Sequence, residues 1–220
     1  MRKKYCLAAI ALLVLLMPVF WHHVSDLLPE IKWSSFSSLA KEKMEDDFVC
    51  GQLQFDEERI LPILYTKNPA YALCHNQQGR KDPMGSIFTE TMPHRVRNLV
   101  VYGHSSKRND DQFTFLKRYA ETEYFQQHPY IFFQDDQGRC SYYVVSFSRY
   151  DMQSDETYMG WCADFDQDGA QEMFRATKPY HLQYRQGVVY HGEAVLTLVT
   201  CDMEAEDTRF VLQAVCIGVE

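Results

Sequence analysis

Apolar positions along the chain fall into three textures. From Tyr5 to Phe20 they run without a break (YCLAAIALLVLLMPVF), Trp21 follows, and no charged residue appears until Asp26. Residues 26–47 mix charges with Leu, Ile, Trp and Phe at helix-like spacing, which predicts a helical segment leading into the domain. From Phe48 onward, short apolar runs are separated by segments bearing Asn, Asp, Gly or Pro. This predicts strands at 48–55, 60–65, 70–74, 98–103, 130–134, 141–149, 195–200 and 209–217. Two stretches read as helices: 112–124, with Phe115, Leu116 and Tyr119 on one face, and 168–177, around Met173 and Phe174. With no internal repeat and no long linker, the pattern predicts a mostly β domain over 48–220, a closed or nearly closed barrel with short inserted helices.

The first texture has two readings. At about 1.5 Å per residue the run reaches roughly 25 Å, just short of a ~30 Å hydrocarbon core. A cleaved signal peptide shares the basic start Arg2-Lys3-Lys4, but the run ends in Pro18-Val-Phe-Trp-His-His23 with no A-x-A-like cleavage triplet. Trp21 suits an interfacial anchor. The expectation is a single-pass membrane protein. Residues 1–25 form a cytoplasmic basic start and transmembrane anchor, 26–47 a juxtamembrane helix, and 48–220 an extracellular domain.

Charge narrows the partners. The 220 residues carry 22 Lys plus Arg against 30 Asp plus Glu, a net −8. No Lys/Arg stripe offsets that balance, which argues against nucleic-acid binding. The 14 Tyr and 14 Phe agree with a β-rich core. Asp164-Phe-Asp-Gln-Asp-Gly169 matches the first half of a calcium loop. Its twelfth position is Arg175 where a bidentate Glu is needed, so the stretch reads as a solvated acidic turn.

Seven cysteines (6, 50, 74, 140, 162, 201, 216) include no C-x-x-C pair or Cys/His cluster that would hold zinc, and their number is odd. Cys216 lies inside the apolar run VLQAVCIGV, Cys140 begins a predicted strand, and Cys50 and Cys74 sit within short ones, so these four read as structural. Cys162 lies in a loop-like segment with no basic neighbour, and Cys6 in the apolar run. Cys201 differs. It ends the alternating strand AVLTLVTC, and a polar turn, DMEAEDTR, leads to Arg209 at the start of the next strand. Pairing of the two strands as a hairpin sets thiol and guanidinium side by side, where a fixed fork of donors suits a developing oxyanion. The competing reading of Arg209 is a surface ion pair with Glu206 or Asp207. A thiol nucleophile also needs a base. His104, after the strand Asn98–Gly103, stands at a strand end with a glycine before it, whereas His128 reads as shaping the turn at Pro129.

These segments resemble the sortases, cysteine transpeptidases that attach proteins to the cell wall of Gram-positive bacteria. Thr197-Leu-Val-Thr-Cys201 is similar to the T-L-x-T-C nucleophile motif, Asn98-Leu-Val-Val-Tyr-Gly-His104 to the histidine segment, and Arg209-Phe-Val-Leu to the strand that opens with the arginine. Gly85-Ser-Ile-Phe88, the helix around Phe113–Tyr119, Tyr124-Phe-Gln-Gln-His-Pro129 and the helical insertion near 166–177 resemble the class B branch. The chain departs from the usual pattern at Ser105-Ser106 and at Val199. The resemblance covers roughly 48–220 and implies a closed eight-stranded β-barrel preceded by an N-terminal helical segment. It implies Cys201 as nucleophile, His104 as acid and base, Arg209 at the oxyanion or substrate backbone, and Thr200 as a substrate contact. It also implies no cofactor and no metal. Its substrates would be secreted proteins bearing LPxTG- or NPxTx-like sorting signals, with an amine of lipid II or of a pilin as acceptor. A non-catalytic tethered binding domain is the remaining alternative.

Overall fold

In a computed structural model of the chain, the residues described are 48–153, 164, 169–188, 193–205 and 207–220. Among them are nine strands: β1 (Phe48–Gln54), β2 (Ile60–Tyr65), β3 (Phe88–Thr89), β4 (Asn98–Tyr102), β5 (Tyr130–Gln134), β6 (Arg139–Asp151), β7 (His181–Tyr184), β8 (Val195–Cys201) and β9 (Thr208–Val219). The helices are α1 (Pro69–Ala72), α2 (Thr122–Gln127) and α3 (Gly169–Thr177), with 3-10 turns at Thr114–Ala120 and Lys178–Tyr180.

Strand order is β5-β1-β2-β3-β4-β8-β9-β6-β7, and β5 also pairs with β6. That last pairing closes eight strands into a barrel and leaves β7 outside the ring. The length of β6 makes this possible. One edge runs along β9 from Cys140 to Asp151, while the other is shared by β5, over Arg139–Tyr143, and β7, over Ser146–Ser148. Most pairings are antiparallel; β2–β3 and β4–β8 are parallel.

Alternation along the strands sorts side chains into two apolar clusters. Leu99, Val101, Leu196, Leu198, Leu212 and Ala214 face inward with Leu53, Ile63, Phe113, Phe115 and Phe147. Val100, Val195, Val199, Val211 and Val215 face outward, and Ala170, Met173 and Phe174 of α3 cover them. The barrel is therefore buried on both sides along β4, β8 and β9, which explains why those segments are continuously apolar.

Several expectations are corrected. The segment 70–74 is helix rather than strand: Pro69 opens α1, and the Asn68 side chain accepts from Tyr71 N at 3.2 Å as its cap. Cys74, expected within a strand, is exposed beyond that helix. The stretch 112–124 divides into a 3-10 turn and α2. The single-pass, membrane-anchored localisation is withdrawn, because among the described residues no helix is long and apolar enough to cross a membrane. The longest α-helix described, α3 with nine residues, spans only about 14 Å. The stretches 1–25 and 26–47 and Cys162 lie outside the described residues, as does most of the acidic turn. Asp164, its one described member before Gly169, accepts from Arg97 N at 2.8 Å and Asn98 N at 3.2 Å at the start of β4.

Candidate active site

Register assembles the site. β8 and β9 pair so that Cys201 stands directly opposite Arg209, and β9 pairs with β6 so that Arg209 stands opposite Tyr150. On the other side, β4 runs parallel to β8 from Asn98↔Val195 to Tyr102↔Val199. Continued two residues past the last pair, the same register would set His104 level with Cys201. The Gly103 N–H donates to the Val199 carbonyl at 3.1 Å, and the Thr200 hydroxyl donates to the Gly103 carbonyl at 2.8 Å, so the two strand ends stay joined where His104 and Cys201 begin. His104, Cys201, Arg209 and Tyr150 thus lie in a row across four neighbouring staves. By alternation they share the outward face with Val199 and Val211. Cys201 and Arg209 are half-buried, as a strand-end rim predicts.

His104 is held from three sides. Its Nε2 lies 2.9 Å from the Leu73 carbonyl; a carbonyl can only accept, so Nε2 carries a proton and donates there, which leaves Nδ1 outside that bond. Its backbone N–H donates to Gln112 Oε1 at 2.9 Å, and its carbonyl accepts from Phe113 N at 3.1 Å. Gln112 in turn donates from Nε2 to the Gly85 carbonyl at 3.0 Å and to the Met84 carbonyl. Two glycines make this possible. A Cβ on Gly103 would meet the Phe113 ring at 2.6 Å. Gly85, at φ +56°, lies under α1, where a Cβ would meet the Ala72 carbonyl at 2.3 Å and the Leu73 carbonyl at 2.7 Å. Gly85 therefore leaves room for the same carbonyl that orients the imidazole.

The turn between Cys201 and Arg209 is fixed by the next residue. Asp202 is buried, pairs with Arg149 Nε at 2.8 Å, and accepts from Glu204 N at 2.9 Å. Its N–H donates to the Thr208 carbonyl at 2.9 Å. Arg209 donates from Nη1 to that same carbonyl at 3.0 Å. Asp207, one of the two carboxylates weighed as its partner, instead accepts from Gln153 Nε2 at 2.7 Å, and Glu206 lies outside the described residues. Thr200 is 3% exposed and alternates inward with Leu198, so its hydroxyl joins the ends of β4 and β8 rather than facing a peptide. His128 Nδ1 meets the Tyr124 carbonyl at 2.9 Å, where it closes α2. A cavity of about 630 Å³ along Asp56–Leu61 and Asp110–Gln112 touches the site only through Gln112. Among the described residues, no group of His, Cys, Asp and Glu side chains could hold a metal.

Sequence reading missed Leu73, Gly85, Gln112 and Asp202. The positive φ of Gln112, +48°, is invisible in composition, and Leu73 contributes a backbone atom that no motif encodes.

Residues 62–217 match the sortase domain family. The chain belongs to the sortase family. Sortases are cysteine transpeptidases, and the relatives of this one carry class B names. It is 29% identical to the Sortase B of Listeria monocytogenes over 78% of this chain and 70% of that protein. Its fold is similar to that of the Clostridium perfringens Sortase B crystal structure, with a TM-score of 0.73 at 21% identity, covering 84% of this chain and 100% of that one. It is likewise similar to a Streptococcus pyogenes class B sortase involved in pilus biogenesis, with a TM-score of 0.71 at 16% identity, covering 83% and 98%. The eight-stranded barrel with few short helices expected of this sortase is the fold observed.

Proposed function

We propose that this sortase cleaves a C-terminal sorting signal through Cys201 and passes the acyl group to an amine of a cell-wall precursor. The Cys201 thiolate adds to the scissile carbonyl, and collapse of the adduct releases the C-terminal fragment as an amine and leaves a thioester. The acceptor amine then attacks the thioester and regenerates the thiol. His104 Nδ1 takes the proton of the Cys201 thiol, passes it to the leaving amine and then takes one from the incoming amine, while Nε2 stays committed to the Leu73 carbonyl. Arg209 donates to the oxyanion or to the adjoining substrate backbone from the register position opposite the sulfur. Thr200 serves by tying the histidine strand to the nucleophile strand.

The observation that carries this reading is the single register row His104–Cys201–Arg209, built from segments some hundred positions apart in sequence. The reaction needs no redox partner, because two acyl transfers balance within substrate and acceptor. The deciding experiment incubates residues 48–220 with a panel of sorting-signal peptides, with and without oligoglycine or diaminopimelate-type amines. An acyl-enzyme mass on Cys201 and an amine-dependent product support the proposal; hydrolysis that leaves no adduct on Cys201 overturns it. A pilin lysine as acceptor differs only in the amine, and the same panel, extended with pilin peptides, separates the two.

A further inference from the structure

Two thiols away from the catalytic row stand together on the same barrel face. Cys140 opens β6 and Cys216 lies near the end of β9, and the register between these strands reads Cys140↔Val219, Ser141↔Gly218, Tyr142↔Cys216. Ile217 is the extra residue of a bulge there, so Cys140 and Cys216 are diagonal neighbours across one strand pair. Both face the inner cluster: Cys140 is 8% exposed within it, and Cys216 packs against it while remaining half-buried. Both are free thiols, and Cys216 donates its S–H to the Gly218 carbonyl at 3.5 Å.

The pair is chemically asymmetric. Interaction with Cys140 lowers the Cys216 thiol, while the same interaction, together with burial, raises Cys140. The more accessible sulfur is therefore the more readily ionised one, and the sheltered one is placed to resolve whatever forms on it.

We propose that Cys140 and Cys216 form a reversible disulfide that staples β6 to β9, with a small-molecule or protein disulfide as oxidant. The Cys216 thiolate attacks one sulfur of the oxidant, forming a mixed disulfide and expelling the first thiolate. The Cys140 thiol then loses its proton and attacks the Cys216 sulfur, expelling the second. Two protein thiols are oxidised, one disulfide is reduced to two thiols, and the protons end on those thiols. The staple joins the two strands that carry Tyr150 and Arg209 at their opposite ends, and it closes a loop that takes in α3, β7 and β8.

The test uses the full chain, equilibrated with oxidised glutathione, quenched with an alkylating agent and digested with trypsin without reductant. The expected product is a reductant-sensitive cross-link between peptides 140–149 and 210–220. In the Cys140→Ser variant, Cys216 instead retains a glutathione adduct. The oxidised protein should melt roughly 5–10 °C above the reduced protein, a difference absent from the Cys216→Ser variant. Recovery of both cysteines as separately alkylated peptides, at an oxidant level that modifies Cys201, overturns the proposal. So does pairing of either one with Cys50 or Cys74.

Discussion

Cys201 and Arg209 face each other at the end of one hairpin, so their contributions can be separated by single substitutions. Cys201→Ala removes the proposed nucleophile from a half-buried rim; peptide cleavage should vanish while the melting temperature stays near that of the parent. Arg209→Lys keeps the charge and loses the fork of donors, and kcat/KM should fall by about 10²–10³-fold, the range seen when one oxyanion donor is removed. Gln112 tests the positioning of His104. Its amide accepts from the His104 backbone and donates to the loop at Met84 and Gly85. Gln112→Glu preserves the acceptor but sets a carboxylate against those carbonyls, so it should be as damaging as Gln112→Ala. We expect kcat to drop on the order of ten- to a hundredfold with KM little changed, because the loss is one of orientation. Equal activity of the Glu variant and the parent would refute this role. The Cys–Arg pairing was legible because one polar turn separates two alternating strands. The place of His104 was not, since it depends on a parallel pairing between segments some hundred positions apart, which only the family resemblance supplied.

Elements held by periodicity were read well, and those held by local contacts were not. β1, β2, β5, β8 and β9 appear within one or two residues of the short apolar runs that predict them. β3 has only two residues, and β7 reads HLQY with an exposed Leu182, so neither carries an apolar signal of its own. The short apolar run at 70–74 is helix because Asn68 caps it and Pro69 opens it, a local signal that apolar content does not carry. β7 pairs with β6 and also meets the end of α3, where one contact titrates. His181 Nε2 meets the Thr177 hydroxyl at 3.2 Å, and burial, with Lys178 nearby, lowers its pKa from 6.5 to about 4. In the unfolded chain His181 protonates near 6.5, whereas in the fold it stays neutral until about 4. Stability is therefore unaffected by this group above 6.5 and is progressively lost as pH falls from there towards 4. His181→Gln should flatten the pH dependence of the denaturation midpoint across that window. An unchanged slope would show that the histidine is not linked to folding.

At the scale of the molecule, closure makes the site depend on residues far from it. β5 is the closing stave, with Phe133 paired to Leu53 of β1 on one side and to Cys140 of β6 on the other. Its ring lies so near Gly51 that a Cβ there would meet it at 2.5 Å, so the seam is packed to contact. Phe133→Ala empties this position and should cost about 3–5 kcal/mol, typical of deleting a buried aromatic ring. The proposed catalytic residues lie on β8 and β9 and just past β4, strands that do not pair with β5. A ring of staves cannot open at one joint without exposing the inward apolar faces of the others, so the loss should be global. Denaturant curves for Phe133→Ala, followed by circular dichroism and by residual peptide cleavage, should shift to lower midpoint together, with activity per folded molecule preserved in dilute buffer. Two separated transitions would mean that β5 opens on its own and that β4, β8, β9 and β6 hold the row without it. A fall in activity at unchanged midpoint would place the seam in the chemistry instead.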